Sequence, residues 1–260
     1  MTDGRFSLLG RKALVTGGNS GIGRAIALAL AESGADIILH HFGDEDGARA
    51  VCDSVQKMGR AAAFLEANFS APGGMEALAK TAERHGPIDI FIANAAIERR
   101  RPWQEIEPSD IEGHVAANFT SLFLLAQALV PPMAARGWGR VVAIGSVLAK
   151  RPRAETVVYA ALKAAQLTAV RALARDVAAR GVTMNVVSPG AIETERNAYR
   201  YADAAFRLAV EAKIPVGRAG RPEDCVGPVL LLCSDAGAYV TGADIPVDGG
   251  WSIGDAPTNN

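Results

Sequence analysis

The sequence predicts an α/β fold: one doubly wound parallel sheet of seven strands with helices on both faces. Short β-branched runs alternate with long alanine-rich stretches of helical period throughout the 260 residues, the pattern that parallel strands joined by crossover helices produce. No Pro/Gly/Ser-rich linker or change of composition divides them, so residues 1–260 read as a single domain. At 49% hydrophobic and 21% charged, the chain can bury a sizeable core.

KALVTGG (residues 12–18) opens as a strand, GIGRAIALALAESGA has helical period with Gly34 as its stop, and DIILHHF returns to strand. This is one βαβ unit. A helix over about 46–58, the strand AAAFLEA, a helix over 74–85 and the strand IDIFIANAA follow. The last is apolar almost throughout, as expected of a parallel strand covered on both faces. A long helix over about 108–135, the strand GRVVAIGS, a helix over about 157–180 and the strand VTMNVVSPG continue the rhythm. A polar segment, 193–213, interrupts it before a final helix near 222–233 and the strand ADIPVDGG.

A formal net charge of −1 and a pI near 6.4 lack the footprint of a nucleic-acid binder, and RRR at 99–101 is the longest basic run. Cys52, Cys225 and Cys233 are odd in number and lack C-x-x-C spacing, which suggests a reducing, cytoplasmic setting without disulfides or zinc. The four histidines lack ligand spacing, so no metal is expected. The first residues lack the apolar region of a secretory signal, and stretches such as SLFLLAQALVPPM fall short of a bilayer span. A soluble protein without membrane partners is expected.

TGGNSGIG (residues 16–23) lies where the first strand hands over to the first helix. Glycines there let backbone amides approach a pyrophosphate, and the helix N-terminus adds unpaired N–H groups and partial positive charge. The order strand, glycines, helix favours a dinucleotide site over a plain tight turn. A P-loop would require G-K-[ST] where Gly23-Arg24-Ala25 stands. A methyltransferase would commonly carry an acid at the end of the second strand, where His40, His41 and Phe42 stand.

YAALK places Tyr159 and Lys163 four residues apart, on one helix face. Alone, the pair reads as an ordinary contact on an amphipathic helix surface. In company it means more. Gly17, Gly21 and Gly23, ANAA at 93–96, Asn118, Ser146, YAALK, SPGAIET at 188–194 and GADIPVDGGW resemble, in order and spacing, the short-chain dehydrogenase/reductase family almost end to end. The resemblance implies a Rossmann fold and an NAD(P)-dependent oxidoreductase moving a hydride between nicotinamide C4 and a carbonyl or secondary alcohol.

The chemistry explains the residue types. Hydride transfer leaves a proton to be delivered to, or removed from, the substrate oxygen, and a free phenol with a pKa near 10 is a poor base at neutrality. Lowering it by about 3 units takes roughly 4 kcal/mol, within reach of a close, partly desolvated cation. Tyr159 is thus the expected acid/base and Lys163 its tuning cation, while Ser146 donates a hydrogen bond to the substrate oxygen. The resemblance implies that Asn118 holds a proton-relay water, that Lys163 also binds the ribose, and that substrate meets Leu148 besides Ser146 and Tyr159. It further implies that the cofactor lies along Gly17, Asn19, Ser20, Gly21, Ile22 and Gly23, then His41 and Phe42, Asn68 and Phe69, Asn94, Ala95 and Ala96, and Pro189, Gly190, Ile192 and Thr194, beside Tyr159 and Lys163.

An acid about 20 residues beyond the glycines holds the NAD ribose and repels the NADP phosphate. Counting from Gly21 reaches His41 instead, and Asp44 falls at the next helix's start. The missing acid tilts the expectation toward NADP, with NAD open. Ala96 replaces the family's glycine, and alanine tolerates positive φ poorly. Asn68 stands where relatives often carry Asp, and its amide oxygen can still accept from an adenine amino group.

Residues 193–213, with Tyr199, Tyr201 and Phe206 among Arg196, Arg200 and Arg207, are expected to form a substrate lid. Together with Arg99 to Arg101 and Arg153 they make a sugar, polyol or keto acid a candidate substrate, although solvated arginines are the commoner situation. A 3-oxoacyl-carrier-protein reductase is the alternative within the class. A nonenzymatic dinucleotide-sensing protein is the alternative outside it, and would usually have lost Tyr159 or Lys163. The small-residue faces around Asn118 and after Tyr159 resemble those that pair subunits into a homotetramer.

Overall fold

Valine, isoleucine and leucine fill both faces of the central strands, and their branched side chains suit a pleated surface covered on each side. The computed structural model describes residues 4–257. Its strands are β1 (Lys12–Thr16), β2 (Asp36–His41), β3 (Ala62–Glu66), β4 (Ile90–Ala93), β5 (Gly139–Ile144), β6 (Val182–Pro189) and β7 (Asp244–Val247). They pair in parallel in the order β3-β2-β1-β4-β5-β6-β7. The expected seven-stranded doubly wound sheet is therefore present.

The helices are α1 (Gly21–Glu32), α2 (Glu45–Lys57), α3 (Gly74–Glu83), α4 (Pro108–Val115), α5 (Ser121–Ala135), α6 (Val157–Val177), α7 (Ala198–Tyr201), α8 (Ala204–Glu211) and α9 (Val226–Cys233). Strand side chains alternate between two cores. Ala13 and Val15 pack with Ile26, Leu30, Val51 and Val229 of α1, α2 and α9. Leu14 and Phe91 pack with Leu78, Leu125, Leu129 and Val170 of α3, α5 and α6.

Three differences from the sequence expectation have local causes. β4 stops at Ala93 because Asn94 leaves the ladder, its N–H donating to Thr16 Oγ1 at 3.0 Å. The helix expected over 108–135 contains a π-helical turn, Ala116–Thr120, between α4 and α5. The two helical runs Pro108–Ala135 and Ala154–Arg180 prove long and apolar enough, by length and composition, to cross a bilayer, unlike the shorter stretches read from sequence. Here their apolar residues contribute to the core on one face of the sheet. The three cysteines are free and buried, and burial pushes the Cys52 thiol up to about 11 and those of Cys225 and Cys233 up to about 12.

Candidate active site

Strand order reverses between β1 and β4, so their carboxyl ends part and leave a crevice there. Thr16 and Asn94 tie the two ends together: the Asn94 amide donates to Thr16 O and Gly17 O, both at 2.9 Å. Gly17 turns with φ +61°, and a Cβ on Gly23 would lie 2.2 Å from Gly17 O, so this close approach of loop and helix admits only glycine. Beneath the loop, His40 Nδ1 accepts from Gly17 N at 3.2 Å, while its Nε2 meets Ala67 O at 3.0 Å. The ring also stacks on Phe69, 4.3 Å between centroids. Burial drives its pKa down to about 4, keeping the neutral imidazole that accepts from the loop.

The crevice encloses about 870 Å³, and nearly every residue expected at the cofactor lines it: Gly17, Asn19, Ser20, Gly21, Ile22, Phe42, Asn68, Phe69, Asn94, Ala95, Ala96, Tyr159, Lys163, Pro189, Gly190, Ile192 and Thr194. Gly23 does not line it and acts through packing. His41 is misplaced in the sequence reading: strand alternation sends it to the opposite face from His40, where it is buried against Phe64. Ala96 causes no strain, since no non-glycine residue among those described has positive φ. Asn68 Oδ1 accepts from Ser70 N at 2.9 Å, closing a local turn. Asp44 caps α2 as expected and accepts from Asn19 Nδ2 at 2.7 Å. The Asn19 bond, the largest influence, and the Gly47 N–H hold its carboxyl below the usual range.

Ser146 and Leu148 line the same crevice as Tyr159 and Lys163. Ser146 Oγ accepts from Leu148 N at 3.1 Å, which sets the hydroxyl at the start of a short helical turn. Lys163 is buried on α6, its Nζ donating to Ile144 O at 2.6 Å and lying 5.5 Å from the Tyr159 ring centre. Burial lowers the lysine to about 7, against a smaller upward pull from Glu98. Burial and then Glu98 raise the Tyr159 phenol, while Ser146, Arg196 and Arg100 pull it down. The protein's own groups thus leave Tyr159 protonated at neutral pH.

Asn118 lies within the π turn, fully buried. Its Oδ1 accepts from Ile97 N at 2.8 Å and its Nδ2 donates to Ile97 O at 2.9 Å, while Gln166 Nε2 donates to the Asn118 carbonyl. Asn118 does not itself line the crevice; it fixes the loop that does.

Of the expected rim residues, Arg99, Arg100, Arg153, Arg196, Arg200, Tyr199, Tyr201 and Phe206 line the crevice, whereas Arg101 and Arg207 do not. Residues 193–213, the segment expected to act as a lid, carry α7 and α8. Sequence reasoning missed His40, Gln166, Glu98 and Glu195. Glu195 Oε2 accepts from Gly21 N at 3.3 Å, and Oε1 pairs with Arg24 at 3.2 Å. The sequence showed His40 beside His41 without telling which faces the glycine loop, and the contacts of Gln166 and Glu195 join segments far apart in the chain.

A family model described as enoyl-(acyl carrier protein) reductase matches residues 17–252. The 3-oxoacyl-[acyl-carrier-protein] reductase FabG of Escherichia coli (strain K12) is 36% identical over 242 residues, 93% of this chain and 97% of its own length. A 3-oxoacyl (acyl-carrier-protein) reductase from Agrobacterium tumefaciens C58, solved with NADP bound, is 38% identical with TM-score 0.92, covering 96% of this chain and 97% of its own. A gluconate 5-dehydrogenase from Burkholderia cenocepacia J2315, solved with NADP and tartrate, is 35% identical with TM-score 0.89 and covers 96% and 98%.

Proposed function

Given that the chain belongs to the short-chain dehydrogenase/reductase family and is an NAD(P)-dependent oxidoreductase acting on CH–OH groups, we propose that Tyr159 is its acid/base, with Ser146 and Lys163 beside it. The observation that carries this is the meeting of the three side chains on one wall of the switch-point crevice. When bound, the nicotinamide supplies or accepts the hydride at C4. In reduction the protonated Tyr159 phenol donates its proton to the substrate oxygen, and Ser146 hydrogen-bonds that oxygen as charge develops. In oxidation the same phenol must first become tyrosinate, which Lys163 in its charged form would favour, as would an oxidised nicotinamide ring. Lys163 would also hold the ribose, and Asn118 supports the site by positioning the Ile97 loop, its side-chain amide and its carbonyl being taken up by Ile97 and Gln166.

Tyr159→Phe removes only a hydroxyl. It is expected to lower turnover at least about a thousandfold with cofactor affinity nearly unchanged, as read by nicotinamide absorbance and fluorescence titration. Turnover within tenfold of wild type overturns the assignment.

NADP is the favoured cofactor. Solved relatives hold it, and the nearest acid, Asp44, is engaged by Asn19 and the first turn of α2. A preference for NADPH in kcat/KM is expected, and a hundredfold preference for NADH refutes it. For substrate, a small polar or anionic carbonyl compound such as a sugar, polyol or keto acid fits best. Arg196 and Arg200 line the crevice without a carboxylate partner among the described residues. Reduction of 3-oxoacyl thioesters is the second reading, favoured by the resemblance to FabG.

The protein is proposed to be a cytoplasmic homotetramer that binds neither nucleic acid nor membrane. Three free cysteines support the compartment, and exposed Val115 and Phe123 on α4 and α5, with Val157 on α6, support the assembly.

A further inference from the structure

The crevice contains a carboxylate that the reaction above does not use. Glu98 follows β4, and both its neighbours are pinned. Asn118 holds both backbone groups of Ile97. On the other side, Arg99 N donates to His114 Nε2 at 3.3 Å, and the Arg99 guanidinium reaches buried Asp110 at 3.0 Å, which Arg101 grips from a second direction at 3.2 Å. The loop is therefore held at fixed depth, and Glu98 is presented to the crevice that Ser146, Tyr159 and Lys163 line.

The Glu98 bonds are lopsided. Arg100 Nε and one terminal guanidinium nitrogen both converge on Oε1, each at 2.8 Å, while Oε2 has no protein partner among the described residues. A carboxylate oxygen that stays unpaired beside a reaction centre is a ready acceptor for a substrate donor. Because Arg100 already balances the charge, a neutral hydroxyl suits it better than a second cation. The charge of Glu98 also acts on both Tyr159 and Lys163, which puts it within electrostatic reach of the reacting atoms.

We propose that Glu98 Oε2 accepts a hydrogen bond from a hydroxyl on the carbon next to the reacting carbonyl, so that the enzyme selects α-hydroxy ketones and vicinal diols. Ketones lacking that hydroxyl, 3-oxoacyl thioesters included, leave Oε2 unmatched, and a carboxylate on the same carbon is repelled. Anionic groups belong farther out, toward Arg196 and Arg200. This specificity role rests on the reading of Tyr159 as acid/base in the same crevice.

The test uses matched pairs that differ only in that hydroxyl: acetoin against 2-butanone, and 2-hydroxycyclohexanone against cyclohexanone, reduced with NADPH. The wild type is expected to favour the hydroxylated member about 10- to 100-fold in kcat/KM, the range for a hydrogen bond to a charged group. Glu98→Ala should bring the ratio to within threefold of unity. Glu98→Gln, which keeps a neutral acceptor of the same shape, should retain part of it, and thermal melts confirm that both variants fold. A wild type active on both members without discrimination overturns the inference alone, as does a Glu98→Ala enzyme that keeps the wild-type ratio. Absence of turnover on every member overturns the underlying reading and this inference with it.

Discussion

His40 illustrates how a single side chain can couple the glycine loop to pH. Its Nδ1 accepts from Gly17 N, and burial holds its pKa near 4 against an ordinary value of 6.5. Between those values the unfolded chain takes up a proton that the folded ring refuses, so stability falls as the pH drops from about 6.5 toward 4. The full loss is roughly 3 kcal/mol, and roughly 2 kcal/mol of it should be evident by pH 5. Denaturant unfolding at pH 7 and pH 5 should show this decrease, and His40→Gln should flatten it. An unchanged slope in the variant would place the acid sensitivity elsewhere. The sequence put a histidine here but pointed at the wrong one, since Lys12 to His41 can be recognised as two strands and a helix without revealing which histidine faces the crevice.

The contact between the lid and α1 operates at the scale of elements. Glu195 places a carboxylate on the Gly21 N–H, at the same helix N-terminus that would receive the pyrophosphate. Two anionic groups cannot share those donors, so a dinucleotide entering this end must displace the glutamate together with its Arg24 pairing. The pairing itself is about half exposed and adds little. Glu195→Gln removes the competing charge and is expected to tighten NADPH binding about three- to tenfold, measured by fluorescence titration. Unchanged or weaker binding would show that the carboxylate does not compete. The glycine loop was legible because strand, glycines and helix are contiguous, whereas the lid's return onto it was not, being a contact between residues 174 positions apart. The π turn was equally hidden, because its residues have ordinary helical character and its stabilising partners, Ile97 and Gln166, lie in other segments.

Across the whole molecule, alternation of strand and helix sufficed to anticipate seven parallel strands in a doubly wound sheet, while their order, and so the place of the reversal, came from the structure. Periodicity records which residues are buried, and burial in this fold follows from the layers. Assembly was less legible, since an apolar residue facing another subunit looks like one facing the core. Val115, Phe123 and Val157 remain exposed on α4, α5 and α6, and covering them in a tetramer would account for their character. Sedimentation should give four chains per particle for the wild type and smaller species for Phe123→Glu, whereas a monomeric wild type would rule the assembly out. The deeply placed thiols have a practical corollary. With all three native sulfhydryls sequestered and reluctant to ionise, a reagent that alkylates thiolates at neutral pH has nothing native to attack. One cysteine introduced at exposed Ala209 on α8 would therefore carry a dye alone, and a change in its emission on adding coenzyme would show, against a dark background, whether residues 193–213 respond.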